Sequence, residues 1–235
     1  MKSAPIILVP GFWLGAWAWD EVAAALRAGG HQVTALTLPG LDAPGTDRSA
    51  ITMAAHVDAI VAAVEAAGRP VVLAVHSGAG APGYGATDRV PERIAAMVYV
   101  DSGPVRGALE PGFTGVESPP PDWSGPDADA PALTVEQLDR FRRLALPQPG
   151  AALREAAPLA DPARLAVPTT VICTSMPSSE IKDAARRGLP FVGGLSELHD
   201  VTYLDLPTHH WPMWSRPDDL AAILASLAVA SAAGR

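Results

Sequence analysis

One stretch of the sequence joins an unbroken apolar run to a serine among small residues, and it reads Val71-Val72-Leu73-Ala74-Val75-His76-Ser77-Gly78-Ala79-Gly80. An apolar run without alternation is typical of a strand that is buried on both faces of a parallel sheet. The small residues after it allow the tight, strained turn that leads from such a strand into a helix. The stretch therefore predicts a serine hydroxyl at the carboxyl end of a central strand, beside backbone N–H groups.

Apolar runs of the same kind recur along the chain and alternate with helical patterns. The predicted strands lie at 6–9, 33–38, 71–75, 95–100, 168–173 and 201–206. Apolar residues at helical spacing, with a glycine or proline at one end, predict helices over 20–28, over 52–67 and from Pro217 onward. Repeated alternation of strand and helix predicts an α/β fold with a doubly wound, mostly parallel sheet.

The alternation breaks after the fourth predicted strand. The segment 103–131 holds seven prolines, and Thr134 followed by Gln137 then matches a helix capping box. Long segments of this kind within a compact domain are usually functional or disordered. A disordered loop therefore stays open as an alternative for 104–131. The predicted units are an α/β core of 1–103 and 167–235 and a small helical lid, inserted at 104–166, over the strand ends.

Composition limits the classes of function. The 235 residues are 49% hydrophobic and 18% charged, which excludes disorder for most of the chain. A net charge of −8 repels phosphate backbones, so we expect no nucleic acid partner. The single cysteine, Cys173, excludes an internal disulfide and a cysteine-based zinc site.

The sequence also gives an expectation for location. The apolar run at 6–9 is too short for a signal peptide, and no segment is apolar enough to span a membrane. We therefore expect a cytoplasmic protein that does not bind membranes. Nothing in the sequence sets the oligomeric state, and a homodimer stays open.

Two further loops carry residues that suit a reactive serine. His209 and His210 follow the last predicted strand, whose carboxyl end lies on the same sheet edge as Ser77. A serine nucleophile needs a base within hydrogen-bond reach, and these adjacent histidines are the candidates. A glycine follows the first strand, which would let the backbone N–H of Phe12 join that of Gly78 in an oxyanion hole.

Four short stretches occur along the chain in an order that is known from one family. They are Val9-Pro10-Gly11-Phe12-Trp13, Leu38-Pro39-Gly40, His76-Ser77-Gly78-Ala79-Gly80 and His210-Trp211-Pro212-Met213. Together they resemble the α/β-hydrolase superfamily, and within it the branch of small cofactor-free esterases and hydroxynitrile lyases. The resemblance implies Ser77 as nucleophile and His210, which directly precedes Trp-Pro, as base. Three positions depart from the family pattern: Val75 stands where the serine motif has glycine, His209 stands where the family often has glycine, and Pro10 replaces a frequent histidine.

The acid that would orient the histidine has two candidates. The family usually places an aspartate after the strand that follows the lid, but in this sequence that strand is followed by residues whose first acid is Glu180. Asp101 ends the strand after the Ser77 strand, where the resemblance implies that some members of the superfamily carry the acid. We prefer Asp101 to Glu180, because its side chain would lie on the rim between Ser77 and the histidine loop.

The combination predicts a serine hydrolase that cleaves a small or medium apolar carboxylic ester or lactone through an acyl-enzyme. Its partner is a small-molecule substrate, and no metal or organic cofactor is implied. Two alternatives stay open: lyase or other acid–base chemistry on the same scaffold, and a non-enzymatic receptor for a small ligand. Residues 104–166 contain no lysine, which counts against the lyase, because the resemblance implies such a lysine in the lyase subgroup.

Overall fold

The structure is a computed structural model that describes residues 3–123 and 133–233, so part of the predicted 104–131 segment lies outside the described residues. The strands are β1 (Ile6–Val9), β2 (Val33–Ala35), β3 (Val71–His76), β4 (Ile94–Val100), β5 (Glu117–Ser118), β6 (Gln148–Pro149), β7 (Thr169–Cys173) and β8 (Val201–Asp205). The α-helices are α1 (Asp20–Ala28), α2 (Met53–Ala66), α3 (Gly80–Arg89), α4 (Val135–Leu144), α5 (Ala151–Arg154), α6 (Ser178–Arg186), α7 (Pro212–Ser215) and α8 (Pro217–Ala233).

Within the described part of the chain, the main sheet has six parallel strands in the order β2-β1-β3-β4-β7-β8. Helices α2, α3 and α6 pack on one face, and α1 and α8 pack on the other. The predicted doubly wound α/β sheet is therefore confirmed. No helix in the two described ranges is both long enough and apolar enough to cross a bilayer.

Strand β3 lies in the interior of this sheet, as its unbroken apolar sequence predicts. All six of its residues are buried. Val71, Leu73 and Val75 pack into the core on the α2 and α3 face, whereas Val72 and Ala74 pack into the core on the α1 and α8 face. Because apolar side chains are needed on both faces, the strand shows no alternation between polar and apolar residues.

The carboxyl ends of the strands meet at one edge of the sheet, and the loops that follow them carry the candidate site residues. Gly11 follows β1, Ser77 follows β3, Asp101 follows β4 and Thr174 follows β7. His210 lies in the loop after β8. Ligands of open α/β sheets bind at this edge, so the topology brings residues far apart in sequence to one place.

Strand β2 ends earlier than its apolar sequence predicts. It is an edge strand and, among the described residues, pairs in the main sheet with β1 alone. Beyond Ala35 one more backbone bond forms, from the Leu36 N–H to the Leu8 carbonyl oxygen at 2.9 Å. The Thr37 hydroxyl then accepts a hydrogen bond from the Ala16 N–H at 2.9 Å. Apolar patterning alone does not predict this early end of the strand, which lies at the edge of the sheet.

The predicted insertion, residues 104–166, contains α4, α5 and a small antiparallel pair formed by β5 and β6. Ser118 of β5 lies opposite Gln148 of β6. The capping box at the start of α4 forms in both directions: the Gln137 N–H donates to the Thr134 hydroxyl, and the Thr134 N–H donates to the Gln137 side-chain oxygen. Local sequence was therefore sufficient to predict where this helix begins.

Aromatic side chains join the insertion to the core. Phe141 of α4 is buried and lies against Trp123 and Trp211, with ring centroids 4.6 and 5.6 Å away. Trp211 also contacts Trp214, whose indole N–H donates to the Ala18 carbonyl oxygen at 3.0 Å. Since Trp211 directly follows His210 in the chain, the same aromatic cluster that holds α4 also anchors the histidine loop.

Candidate active site

Ser77 lies on a sharp turn between β3 and α3. Its backbone is in the left-handed region, with φ 51°, and a short 3₁₀ turn over Ser77–Ala79 leads into the helix. For a residue with a side chain this conformation costs on the order of 1–3 kcal/mol, which surrounding contacts must offset. One such contact is the Ser102 hydroxyl, which donates to the Ser77 carbonyl oxygen at 2.5 Å. The turn places Ser77 at the wall of a cavity on the strand-end side of the sheet.

Val75 is the residue that departs from the family's serine motif. It is fully buried in β3. Helix α3 makes room for its side chain at Gly83, where an added Cβ would lie 2.6 Å from Val75 Cγ1. The small residue is thus on the helix rather than on the strand, so β3 and α3 still pack closely.

Ser77, His210 and Asp101 form one chain of hydrogen bonds. His210 Nε2 lies 2.8 Å from Ser77 Oγ, and His210 Nδ1 lies 2.6 Å from Asp101 Oδ2. Because an ionised carboxylate only accepts, Nδ1 carries the proton of the neutral ring. The lone pair on Nε2 is then free to accept the Ser77 hydroxyl proton.

Asp101 is itself held by the loop after β7. Its Oδ1 accepts the backbone N–H groups of Thr174 and Ser175 at 3.1 and 2.9 Å, and its Oδ2 accepts the Ser175 hydroxyl at 2.6 Å. Burial by itself would raise the pKa of Asp101, but the hydrogen bonds from His210 and Ser175 lower this pKa well below its usual value. The carboxylate therefore stays ionised and acts as a fixed acceptor for His210.

The alternative acid, Glu180, is not brought to His210. It lies exposed in the first turn of α6, while Nδ1 of His210 is occupied by Asp101. The loop after β7, where the family usually carries its acid, supplies N–H and hydroxyl donors to Asp101 instead.

His209 faces a different set of partners from His210. Its Nδ1 accepts the Trp211 N–H at 3.1 Å, and its carbonyl oxygen accepts the Thr174 hydroxyl at 3.2 Å. Of the two adjacent histidines, the structure therefore brings only His210 to Ser77.

His76 has a structural role: it contacts the histidine loop. Its Nε2–H donates to the His210 carbonyl oxygen at 2.7 Å, and the two imidazole rings lie 4.8 Å apart. Burial, followed by the proximity of His210, lowers the pKa of His76 to about 3. A neutral ring under the loop fixes the main chain of His210 without adding charge next to it.

Acid is expected to destabilise the protein through His76. The folded pKa of about 3 lies below the value of 6.5 that applies to the unfolded chain, so between these values only the unfolded state binds the proton. The free energy of unfolding should therefore rise from pH 5 to pH 8, by about 2 kcal/mol from this residue. Urea unfolding followed by tryptophan fluorescence at both pH values measures the difference.

His76→Gln is the matched variant for this measurement, because glutamine keeps an N–H donor and does not titrate. The buried His56, whose pKa burial also lowers, is present in both proteins and cancels in the comparison. In the variant, we expect the rise in the free energy of unfolding between pH 5 and pH 8 to be about 2 kcal/mol smaller than in the wild type. Equal pH dependence in the two proteins would show that His76 is not the source.

Two backbone donors lie beside Ser77. A Cβ on Gly11 would lie 2.8 Å from Ser77 Cβ, so only glycine allows the loop after β1 to approach this closely. The next residue, Phe12, lines the same cavity as Ser77 and Gly78. Within the described ranges, neither the Phe12 N–H nor the Gly78 N–H donates to a protein group. Free N–H groups at this position are what an oxyanion hole needs.

The cavity above Ser77 has a volume of about 350 Å³ and mainly apolar walls. The apolar side chains that line it are those of Phe12, Val105, Leu109, Leu153 and Phe191. Val105, Leu109 and Leu153 belong to the insertion, as does Glu110, which also lines the cavity. No cluster of three or more potential metal ligands occurs among the described residues.

Known proteins share parts of this sequence and all of this fold. The chain is 40% identical to Esterase PIR7B of Oryza sativa subsp. japonica over 98 residues, which are 40% of this chain and 37% of that protein. It is 33% identical to the carbendazim hydrolyzing esterase of Nocardioides sp. strain SG-4G over 101 residues, 42% of each chain. The aligned region thus spans less than half the length of these relatives.

Solved structures of other proteins share the fold of this chain over nearly its whole length. An extracellular alpha/beta-hydrolase from a Paenibacillus species superposes with a TM-score of 0.73 at 19% identity, covering 96% of this chain and 99% of the other. At this identity the likeness concerns the fold. A sequence profile of the alpha/beta hydrolase family matches residues 6–223. The chain therefore belongs to the alpha/beta hydrolase family.

Proposed function

We propose that this protein hydrolyses carboxylic esters or lactones through an acyl-enzyme formed on Ser77. The observation that carries the proposal is the hydrogen-bonded chain from Ser77 Oγ through His210 to Asp101, placed at the wall of an apolar cavity. A serine hydroxyl becomes a nucleophile when a neighbouring base accepts its proton, and a carboxylate behind the base stabilises the imidazolium that results. The names of the two matched relatives, both esterases, support the reaction class.

In the acylation step Ser77 Oγ attacks the ester carbonyl carbon while His210 Nε2 takes the hydroxyl proton. The negative charge that develops on the carbonyl oxygen is stabilised by the N–H groups of Phe12 and Gly78, which have no protein acceptor in the described residues. His210 then gives its proton to the departing alkoxide. Asp101 keeps the proton on Nδ1 throughout, so that Nε2 alone exchanges protons with the substrate.

In the deacylation step water replaces the alcohol. His210 Nε2 takes a proton from the water, the resulting hydroxide attacks the acyl carbon, and Ser77 leaves with the proton that His210 returns. No metal or organic cofactor takes part in the proposed reaction.

The cavity suggests a small or medium apolar substrate. Its lining is mainly aromatic and aliphatic, and its volume of about 350 Å³ lies at the lower end of the range for small-molecule sites. The insertion supplies several of the lining residues, among them Val105 and Leu153, which supports the proposal that it acts as a lid.

The first test is turnover of p-nitrophenyl acetate, butyrate and octanoate, with the acid product identified by mass spectrometry. We expect hydrolysis of all three and the highest kcat/KM for the acetate or butyrate. Absence of turnover across the series, together with cleavage of a cyanohydrin, would replace the hydrolase proposal with the lyase. Binding of such ligands without any turnover would favour a receptor.

The charge of the acyl group is expected to matter. Glu110 is an exposed residue at the cavity, and the lining residues include no lysine or arginine, so a substrate carboxylate would be repelled. We expect kcat/KM for p-nitrophenyl hexanoate to exceed that for p-nitrophenyl hydrogen adipate, which differs by a terminal carboxylate, by about tenfold. Glu110→Gln should reduce this ratio and leave the hexanoate rate within about twofold. An unchanged ratio in Glu110→Gln would remove Glu110 from the account of specificity.

A further inference from the structure

The loop that follows β1 is held in place by the insertion as well as by the core. Trp13 sits in the left-handed region, with φ 66°. Its N–H donates to the side-chain oxygen of Gln148 at 3.2 Å, and its carbonyl oxygen accepts the Leu146 N–H at 3.0 Å. Its indole N–H donates to the Ser118 carbonyl oxygen at 3.2 Å. One strained residue is thus bonded at three points to a segment more than a hundred positions away.

Gln148 is a buried residue of the insertion. It is 1% exposed, and its backbone lies in β6 opposite Ser118 of β5. The neighbour of Ser118, Glu117, forms an ion pair at 3.2 Å with the buried Arg48, which anchors the strand pair to the core. A buried amide oxygen needs a hydrogen-bond donor, and the Trp13 N–H supplies one.

The bond from Trp13 to Gln148 fixes the peptide that follows Phe12. On the other side of Phe12, Gly11 is packed against Ser77 with no room for a Cβ. Phe12 is therefore constrained at both of its peptide links, and the direction of its N–H is set by Gly11 on one side and by Gln148 on the other. The side chain of Gln148 also borders a small cavity together with Phe12 and Gly78.

We propose that Gln148 is a positioning residue for the oxyanion hole: by accepting the Trp13 N–H, it aims the Phe12 N–H at the carbonyl oxygen of the substrate. The inference rests on the proposed function. According to this inference, the insertion sets the direction of an oxyanion-hole donor in addition to lining the cavity. Transition-state stabilisation by an N–H group depends on its direction, whereas ground-state binding in an apolar cavity does not.

The test compares variants that keep or remove the acceptor oxygen. Gln148→Met preserves side-chain length without an acceptor, Gln148→Asn shortens the reach, and Gln148→Glu keeps an oxygen at the same distance. We expect kcat for p-nitrophenyl butyrate to fall about 10- to 100-fold in the first two, with KM within about twofold and rescue by Gln148→Glu. Gln32→Met makes the same substitution at an exposed glutamine outside the insertion and should leave kcat within about twofold.

A second readout separates positioning from general loosening of the fold. A trifluoromethyl ketone forms a tetrahedral oxyanion on the serine, so its inhibition constant should rise in Gln148→Met and Gln148→Asn by the same factor as kcat falls. In the wild-type protein the Trp13 amide should be protected from hydrogen exchange. This measurement needs no variant, so it tests the proposal even if a Gln148 variant does not fold. Unchanged kcat in Gln148→Met, equal losses in Gln32→Met, or a Trp13 amide that exchanges like an exposed loop would each overturn the proposal. If Ser77→Ala were fully active, the proposed function would fail instead.

Discussion

Ser77→Ala is expected to lower kcat for p-nitrophenyl butyrate by about 10⁶-fold. The hydroxyl of Ser77 is the atom that forms the covalent bond in the proposed mechanism, and alanine leaves His210 with no proton to accept at this position. The binding cavity and the free N–H groups of Phe12 and Gly78 are not altered by the change. A residual rate above that of water is therefore expected, because those groups still bind the substrate and polarise its carbonyl.

Steady-state kinetics and a stability measurement decide this prediction together. Alanine, like serine, carries a Cβ, so the strain of the left-handed backbone at residue 77 is the same in the variant. The unfolding midpoint in urea should therefore stay close to that of the wild type. Ser49→Ala, at an exposed serine, is the control and should keep full activity. If Ser77→Ala retained more than about one hundredth of the wild-type kcat, Ser77 would not be the nucleophile.

Asp101→Asn is expected to lower kcat by about 10⁴-fold with little change in KM. Each oxygen of the Asp101 carboxylate accepts hydrogen bonds, two from backbone N–H groups and two from Ser175 and His210. An asparagine NH₂ group in place of Oδ2 would donate to His210 Nδ1, which forces the ring proton onto Nε2. In that tautomer His210 cannot take the Ser77 proton.

Glu180→Gln is the matched control for Asp101→Asn, since each change replaces a carboxylate with an amide. Glu180 lies exposed on α6, so we expect kcat within about twofold of the wild type. The double variant Ser77→Ala/Asp101→Asn should be no slower than Ser77→Ala alone, because the residues act as one unit. A greater loss in Glu180→Gln than in Asp101→Asn would assign the acid to Glu180.

Much of the fold could be predicted from local patterns because the central strands are buried on both faces. The unbroken apolar runs at β3 and β4 identify interior strands, and the Thr134–Gln137 capping box identifies the start of α4. The end of β2 could not be predicted: the predicted strand runs to residue 38, but ladder pairing stops at Ala35, at the edge of the sheet. Apolar composition indicates which residues are buried, but it does not fix where an edge strand ends.

The candidate site also has features that the sequence predicts and features that it does not predict. That Ser77, Asp101 and the histidine loop meet at one sheet edge follows from parallel topology, which the alternation of strands and helices predicts. The preference for Asp101 over Glu180 rests on the resemblance to superfamily members that carry the acid at this strand end, whereas no sequence pattern identifies Thr174 and Ser175 as its donors. The contact between Trp13 and Gln148 joins residues 135 positions apart, and no local pattern in either segment points to the other.

Covalent labelling with a fluorophosphonate tests the central claim most directly. The reagent reacts with a serine only where a base activates the hydroxyl and an oxyanion site stabilises the adduct. The account predicts one adduct per chain, mapped by peptide mass spectrometry to Ser77, with labelling abolished in Ser77→Ala and strongly slowed in His210→Ala. A folded protein that stays unlabelled, or an adduct on a serine other than Ser77, would contradict it.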